Sequence, residues 1–172
     1  MTYYIKENLF SSSGRYKILD ENSKVCFETS EKLFSFTNSL ILMDHKEREL
    51  LTIIQLKGTA LPEYKIMKDS DEMALIKKNF TDITDNLSIS SLYGVFRVQG
   101  DSSLESYKII DDLGNTAALA MHGHFPSISS KDEVLTQEPV YTLDILDKKR
   151  TSFLVALSII INDIKNIDDP VI

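Results

Sequence analysis

Short runs of alternating apolar and polar residues fill most of this chain, and they recur in pairs. The first member of each pair reads Tyr16-Lys17-Ile18-Leu19-Asp20, Leu40-Ile41-Leu42-Met43-Asp44, Tyr64-Lys65-Ile66-Met67-Lys68-Asp69 and Tyr107-Lys108-Ile109-Ile110-Asp111. The first three copies begin at residues 16, 40 and 64, a spacing of 24. A second apolar run follows each: Val25-Cys26-Phe27, Leu51-Thr52-Ile53-Ile54, Ala74-Leu75-Ile76 and Ala117-Ala118-Leu119-Ala120. Alternation with period two is the pattern of a strand with one buried face, so each pair predicts a β-hairpin.

Extended along the chain, the same rule predicts about twelve strands. They lie near residues 2–6, 15–19, 24–29, 40–43, 50–55, 63–67, 72–77, 86–90, 95–98, 105–110, 116–121 and 140–146. Asp20-Glu21-Asn22-Ser23, Asp69-Ser70-Asp71 and Asp111-Asp112-Leu113-Gly114-Asn115 each open with an aspartate, whose short carboxylate can accept hydrogen bonds from the turn backbone. Lys17, Lys65 and Lys108 alternate with apolar neighbours, which gives those strands one wet face.

The segment from Thr151 to Ile167 is different in kind. It is long enough for a helix, with Asp147 or Thr151 as cap and Asp168-Asp169-Pro170 as stop. Its middle, Phe153 to Ile161, is apolar on every side, whereas a surface helix shows one stripe. Such a helix must be surrounded by protein. A mainly β fold, in which about twelve antiparallel strands close around this one helix, buries it and also removes the exposed sheet edges.

Composition narrows the classes. A chain of 172 residues with 42% hydrophobic and 26% charged residues reads as one globular domain, 1–172, with no linker. A net charge of -7 argues against nucleic acid as partner and against simple attachment to anionic lipid. The one cysteine, Cys26, excludes an internal disulfide and fits a reducing, cytoplasmic setting. The apolar run Phe153–Ile161 is far shorter than the ~20 residues of a membrane-spanning helix.

With these residues in hand, the chain resembles the LURP-one-related family. The resemblance rests on the Tyr-x-Ile-x-Asp hairpins, on the strand Ala74-Leu75-Ile76-Lys77-Lys78, and on Tyr141-Thr142-Leu143-Asp144-Ile145 followed by an apolar helix. That family is similar in fold to the C-terminal domain of tubby and to phospholipid scramblases. The resemblance implies a twelve-stranded barrel threaded by a hydrophobic C-terminal helix, and for bacterial members it implies no particular activity. Two departures stand out: an insertion over residues 122–139 before the last strand, and an acidic stretch without turn residues after Met43.

Candidate chemistry is sparse. His122 and His124, two apart, would share one face of a strand and suit zinc, with Asp132 or Glu133 as a third ligand. The plainer reading is two loop histidines beside Gly123 and Pro126. His45 and Cys26 lie in other hairpins, and Cys26 has no cation beside it to activate the thiol. The run Asp69-Ser70-Asp71-Glu72 has Ala74 where a calcium loop needs glycine and Phe80 where it needs glutamate, so it reads as a solvated turn. No nucleophile elbow or phosphate-binding glycine loop is present. The basic cluster Lys148-Lys149-Arg150 opposes the dipole at a helix start. It is either a contact for a phosphate headgroup or acidic partner at the barrel rim, or a solvated loop. The sequence therefore points to a non-enzymatic binding module without a cofactor, for a protein or lipid ligand. The alternative is a metal-dependent or hydrolytic enzyme working in the 122–139 insertion.

Overall fold

The computed structural model describes residues 1–7, 15–31, 38–79, 87–100, 105–123 and 140–168. They form twelve antiparallel strands: β1 (Thr2–Glu7), β2 (Tyr16–Leu19), β3 (Val25–Glu31), β4 (Asn38–Asp44), β5 (Glu49–Gln55), β6 (Glu63–Lys68), β7 (Asp71–Lys78), β8 (Leu87–Ser91), β9 (Gly94–Gly100), β10 (Ser106–Ile110), β11 (Thr116–Gly123) and β12 (Val140–Ile145). A 3-10 turn, Lys148–Arg150, leads into helix α1 (Thr151–Asp168). The strand limits agree with the sequence expectation to within 2 residues.

Each strand pairs with its neighbour in the chain, and β1 pairs with β12, so the sheet closes into a barrel with no edge. The closing ladder runs from Thr2 opposite Asp144 to Lys6 opposite Val140. Inward positions carry the apolar set, including Ile5, Ile18, Leu42, Ile53, Ile66, Ile76, Ile89, Phe96, Ile109 and Leu143. Outward positions such as Lys17, Lys65, Lys77, Arg97 and Gln99 are polar.

Helix α1 fills the interior. Every residue from Phe153 to Ile164 is buried, as its all-round apolar pattern requires. It lies nearest β5, β11 and β12. The small side chains of Ala117, Ala118 and Ala120 on β11 leave room for that approach. Of the two possible caps, Asp147 caps the 3-10 turn that leads into α1: its carboxylate accepts from the Lys149 N–H at 3.0 Å.

The connections alternate between two ends of the barrel. One end holds the tight turns β2–β3, β4–β5, β6–β7, β8–β9 and β10–β11 together with the start of α1. Three of these turns are built alike. Asp20, Asp44 and Asp111 each accept at Oδ1 from the backbone N–H groups two and four residues on. The residue three positions on has positive φ: Ser23 at 61°, Glu47 at 59° and Gly114 at 84°. A register shift follows in each hairpin, the mark of a bulge after the turn. The stretch after Met43 is thus no exception to the turn pattern, contrary to expectation. Asp44 supplies the turn that the absence of glycine and proline had hidden.

Candidate functional site

The basic cluster lies at the tight-turn end. Lys148 and Lys149 are exposed, but Arg150 is engaged within the molecule. Its Nε donates to Asp147, and its Nη2 lies 3.5 Å from Asp111 Oδ2. Its guanidinium stands 5.0 Å from the centre of the Phe96 ring and 6.0 Å from that of Tyr93, within cation–π range. One side chain therefore ties together the β8–β9 turn, the β10–β11 turn and the start of α1. Gly94 shows how closely the first two turns meet. Its φ is 101°, and a Cβ there would stand 2.7 Å from Asp112 Oδ2.

Around this clamp the turn tips are apolar and open to solvent. Leu92 and Tyr93 cap β8–β9, Leu113 caps β10–β11, and Leu146 precedes the 3-10 turn; Leu113 is 82% exposed. Two lysines beside four exposed apolar tips form a mixed rim sector. The acidic residues Asp111, Asp112 and Asp147 lie in the same connections, so the lysines are not the summit of a broad positive field. The Asp111 carboxyl is held below its usual range, first by the Asn115 backbone N–H and further by Arg150.

The other candidates fall elsewhere. His122 belongs to β11 and is not a loop residue; its ring stacks on Tyr141 with centroids 5.2 Å apart. His124, Asp132 and Glu133 lie outside the described residues, and the insertion proper begins after Gly123. His45 is exposed in the β4–β5 turn. Cys26 is half-buried, and burial, then Asp20, pushes its thiol up, the opposite of an activated nucleophile. Asp69 sits in the two-residue turn between β6 and β7 with φ 53°. Among the described residues, no group of three His, Cys, Asp or Glu side chains is placed to hold a metal ion.

Sequence reasoning missed a polar network at the opposite end of the helix. Asp163, inside the apparently apolar element, is buried. It accepts from Tyr16 Oη at 2.6 Å, and Arg15 Nη2 lies 3.1 Å away. Arg15 Nε also donates to Glu7 at 2.9 Å. Burial raises the Asp163 carboxyl above its ordinary range, with Arg15 opposing the shift. Deeper in, the hydroxyls of Tyr107, Tyr141 and Ser158 are buried; Tyr107 and Ser158 face each other, and that of Tyr141 has no hydrogen-bond partner among the described residues. The signal was Tyr at the head of three of the four repeated strands, Tyr16, Tyr64 and Tyr107, which reads equally well as an ordinary core aromatic.

A separate feature lies on the outer wall. The outward side chains of β9–β12 border an open groove of about 620 Å³, with Gln99, Lys108, Leu119, Met121, Thr142 and Asp144 along it. Leu119 and Met121 are 43% and 61% exposed.

Comparison with known proteins agrees with this architecture. A model of the family described as LURP-one-related matches residues 1–163. The uncharacterized protein YxjI of Bacillus subtilis is 24% identical over 108 residues, 63% of this chain and 65% of that protein, so the chain spans less than two thirds of its length. A solved structure of a protein from Arabidopsis thaliana is similar with a TM-score of 0.56 at 14% identity, covering 94% of this chain and 91% of that one. That likeness is one of fold. Among the described residues, no helix is long and apolar enough to cross a membrane.

Proposed function

The chain belongs to the LURP-one-related family, and from that premise we propose that it is a non-enzymatic binding module, one domain over residues 1–172, that holds a protein partner at the tight-turn rim. One observation carries the reading: Leu92, Tyr93, Leu113 and Leu146 stand exposed around Lys148 and Lys149 on turns clamped by Arg150. Exposed apolar residues grouped with a few charges mark a contact surface more than a solvated loop. A rigid base lowers the ordering cost of binding. The barrel interior is filled by α1, so a substrate would find no lumen, and a packed apolar interior with a charged exterior suits a barrel standing in water. A lipid headgroup offers the same acidic chemistry to Lys148 and Lys149. The carboxylates of the rim and the net charge of -7 weigh against an anionic membrane.

The test is a photo-crosslinking residue at Leu113 in the producing cells, with adducts identified by mass spectrometry. One dominant protein adduct is expected, weakened by Lys148→Glu with Lys149→Glu. Absence of any protein adduct overturns the reading. Salt-sensitive sedimentation with phosphatidylserine vesicles that the same double variant abolishes reassigns the rim to lipid.

A further inference from the structure

The groove on the outer wall is a second surface, away from the rim. Its residues fall into rows set by the strand register. Lys108 on β10 pairs with Leu119 on β11, and Leu119 pairs with Asp144 on β12. The row extends to Gln99 on β9 and to Thr2 on β1. It therefore reads Gln99, Lys108, Leu119, Asp144, Thr2, with β11 at its centre. A second row reads Ser106, Met121, Thr142, with Met121 at the centre. About β11 each row is apolar in the middle and polar on both flanks, and the two charged flanks have opposite sign.

We propose that this face is a self-association surface whose occupant is a second copy of the chain. Consider a two-fold axis parallel to β11 and above it, the near-aligned geometry in which sheets pack face to face. It sets Leu119 against Leu119 of the second copy and Met121 against Met121. It also sets Lys108 of each copy against Asp144 of the other. Gln99 meets Thr2, and Ser106 meets Thr142, so no like charges oppose within these rows. Such an isologous contact needs one patch that complements itself, and an arrangement with Lys on one flank and Asp on the other meets that need. Lys108 and Asp144 are only half-buried, while Leu119 and Met121 stand open in the single chain. The sheet has no edge, so copies cannot add strand to strand and a face is what the barrel can offer.

Sedimentation of the full chain at physiological salt, where repulsion between two chains of net charge -7 is screened over about 8 Å, tests this. The wild type is expected to show a reversible, concentration-dependent dimer. Lys108→Glu alone sets a glutamate against Asp144, and Asp144→Lys alone sets a lysine against Lys108, so each variant is expected to sediment as a monomer. In an equimolar mixture of the two, the introduced glutamate of one chain meets the introduced lysine of the other. The unaltered Asp144 and Lys108 meet as in the wild type, and the mixture is expected to recover the dimer. Should Asp144→Lys fold poorly, Met121→Glu, at an exposed position, is expected to give a folded monomer. A wild type that stays monomeric overturns the proposal, as does a dimer indifferent to Lys108→Glu or Met121→Glu, or a mixture that stays monomeric. None of these outcomes touches the rim reading, which the Leu113 crosslink decides separately.

Discussion

Glu47 sits where a glycine would be at ease. In the three aspartate-capped turns, the residue three positions past the aspartate has left-handed backbone, filled by Ser23, Glu47 and Gly114. An L-residue in that region costs roughly 1–2 kcal/mol, of which glycine returns part through its looser unfolded chain. Glu47→Gly is therefore expected to stabilise by about 0.5–1 kcal/mol, and Gly114→Ala to destabilise by about 1 kcal/mol. A Cβ at Gly114 would meet nothing within 4 Å, so its penalty is conformational and not steric. Melting should move by about 2–4 °C per kcal/mol, upward for the first and downward for the second. A Glu47→Gly protein that melts lower would show that the glutamate makes a compensating contact. At this scale Asp20 and Asp111 were legible, because their carboxylates take the turn N–H groups as the sequence implied, whereas the like role of Asp44 was not. The positive φ at Glu47 was not, since nothing in a glutamate announces it.

The helix is the element on which the fold depends. Leu157 is fully buried at its middle. Leu157→Ala should cost about 2–5 kcal/mol. Leu157→Asp should leave no folded protein, because an unpaired buried charge costs several kcal/mol. A soluble Leu157→Asp variant with a wild-type melting point would contradict the central placement of α1. Asp163 gives a second, pH-dependent test. Its carboxyl is raised in the folded state above the unfolded value near 3.9, so the folded chain binds that proton more tightly. The stability this contributes is complete at low pH. It falls as pH rises from about 4 through the folded pKa and is level above it. Subtracting denaturant curves of Asp163→Asn from those of the wild type across the acid range should expose this downward slope. A flat or rising difference would mean that Arg15 overcomes burial. The apolar pattern announced the helix and its burial. The buried polar residues Ser158, Asn162 and Asp163 were hidden within that same pattern, and the partner of Asp163, Tyr16, lies on a strand far away in sequence.

At the scale of the whole molecule, the closed antiparallel architecture was legible because hairpins of matching period leave few arrangements for neighbouring strands, and an all-round apolar helix requires an enclosure. What stayed hidden was assembly across the sheet. The adjacency of Tyr93, Phe96, Asp111 and Arg150 and the row from Gln99 to Thr2 depend on register, which single-chain periodicity leaves open by whole residue pairs. The role read for the basic cluster illustrates the difference. Three adjacent cations looked equivalent, yet Arg150 is built into the scaffold while Lys148 and Lys149 face solvent.

The seam between β1 and β12 also governs how the protein comes into being. Among the described elements, β1 is made before its partner β12, and the helix that fills the centre is translated after both. At roughly 5–20 residues per second, the nascent chain spends on the order of ten seconds or more as an open ribbon. Throughout that time the inward faces of β2 to β11 have no plug, and both margins of the ribbon are unpaired. A helix at the centre of a closed barrel must be enclosed while the wall is still open, so seam closure and helix capture belong to one late step of folding. Until then the sheet exposes its apolar inner face and two unpaired margins, the features that make an incomplete β structure prone to aggregate.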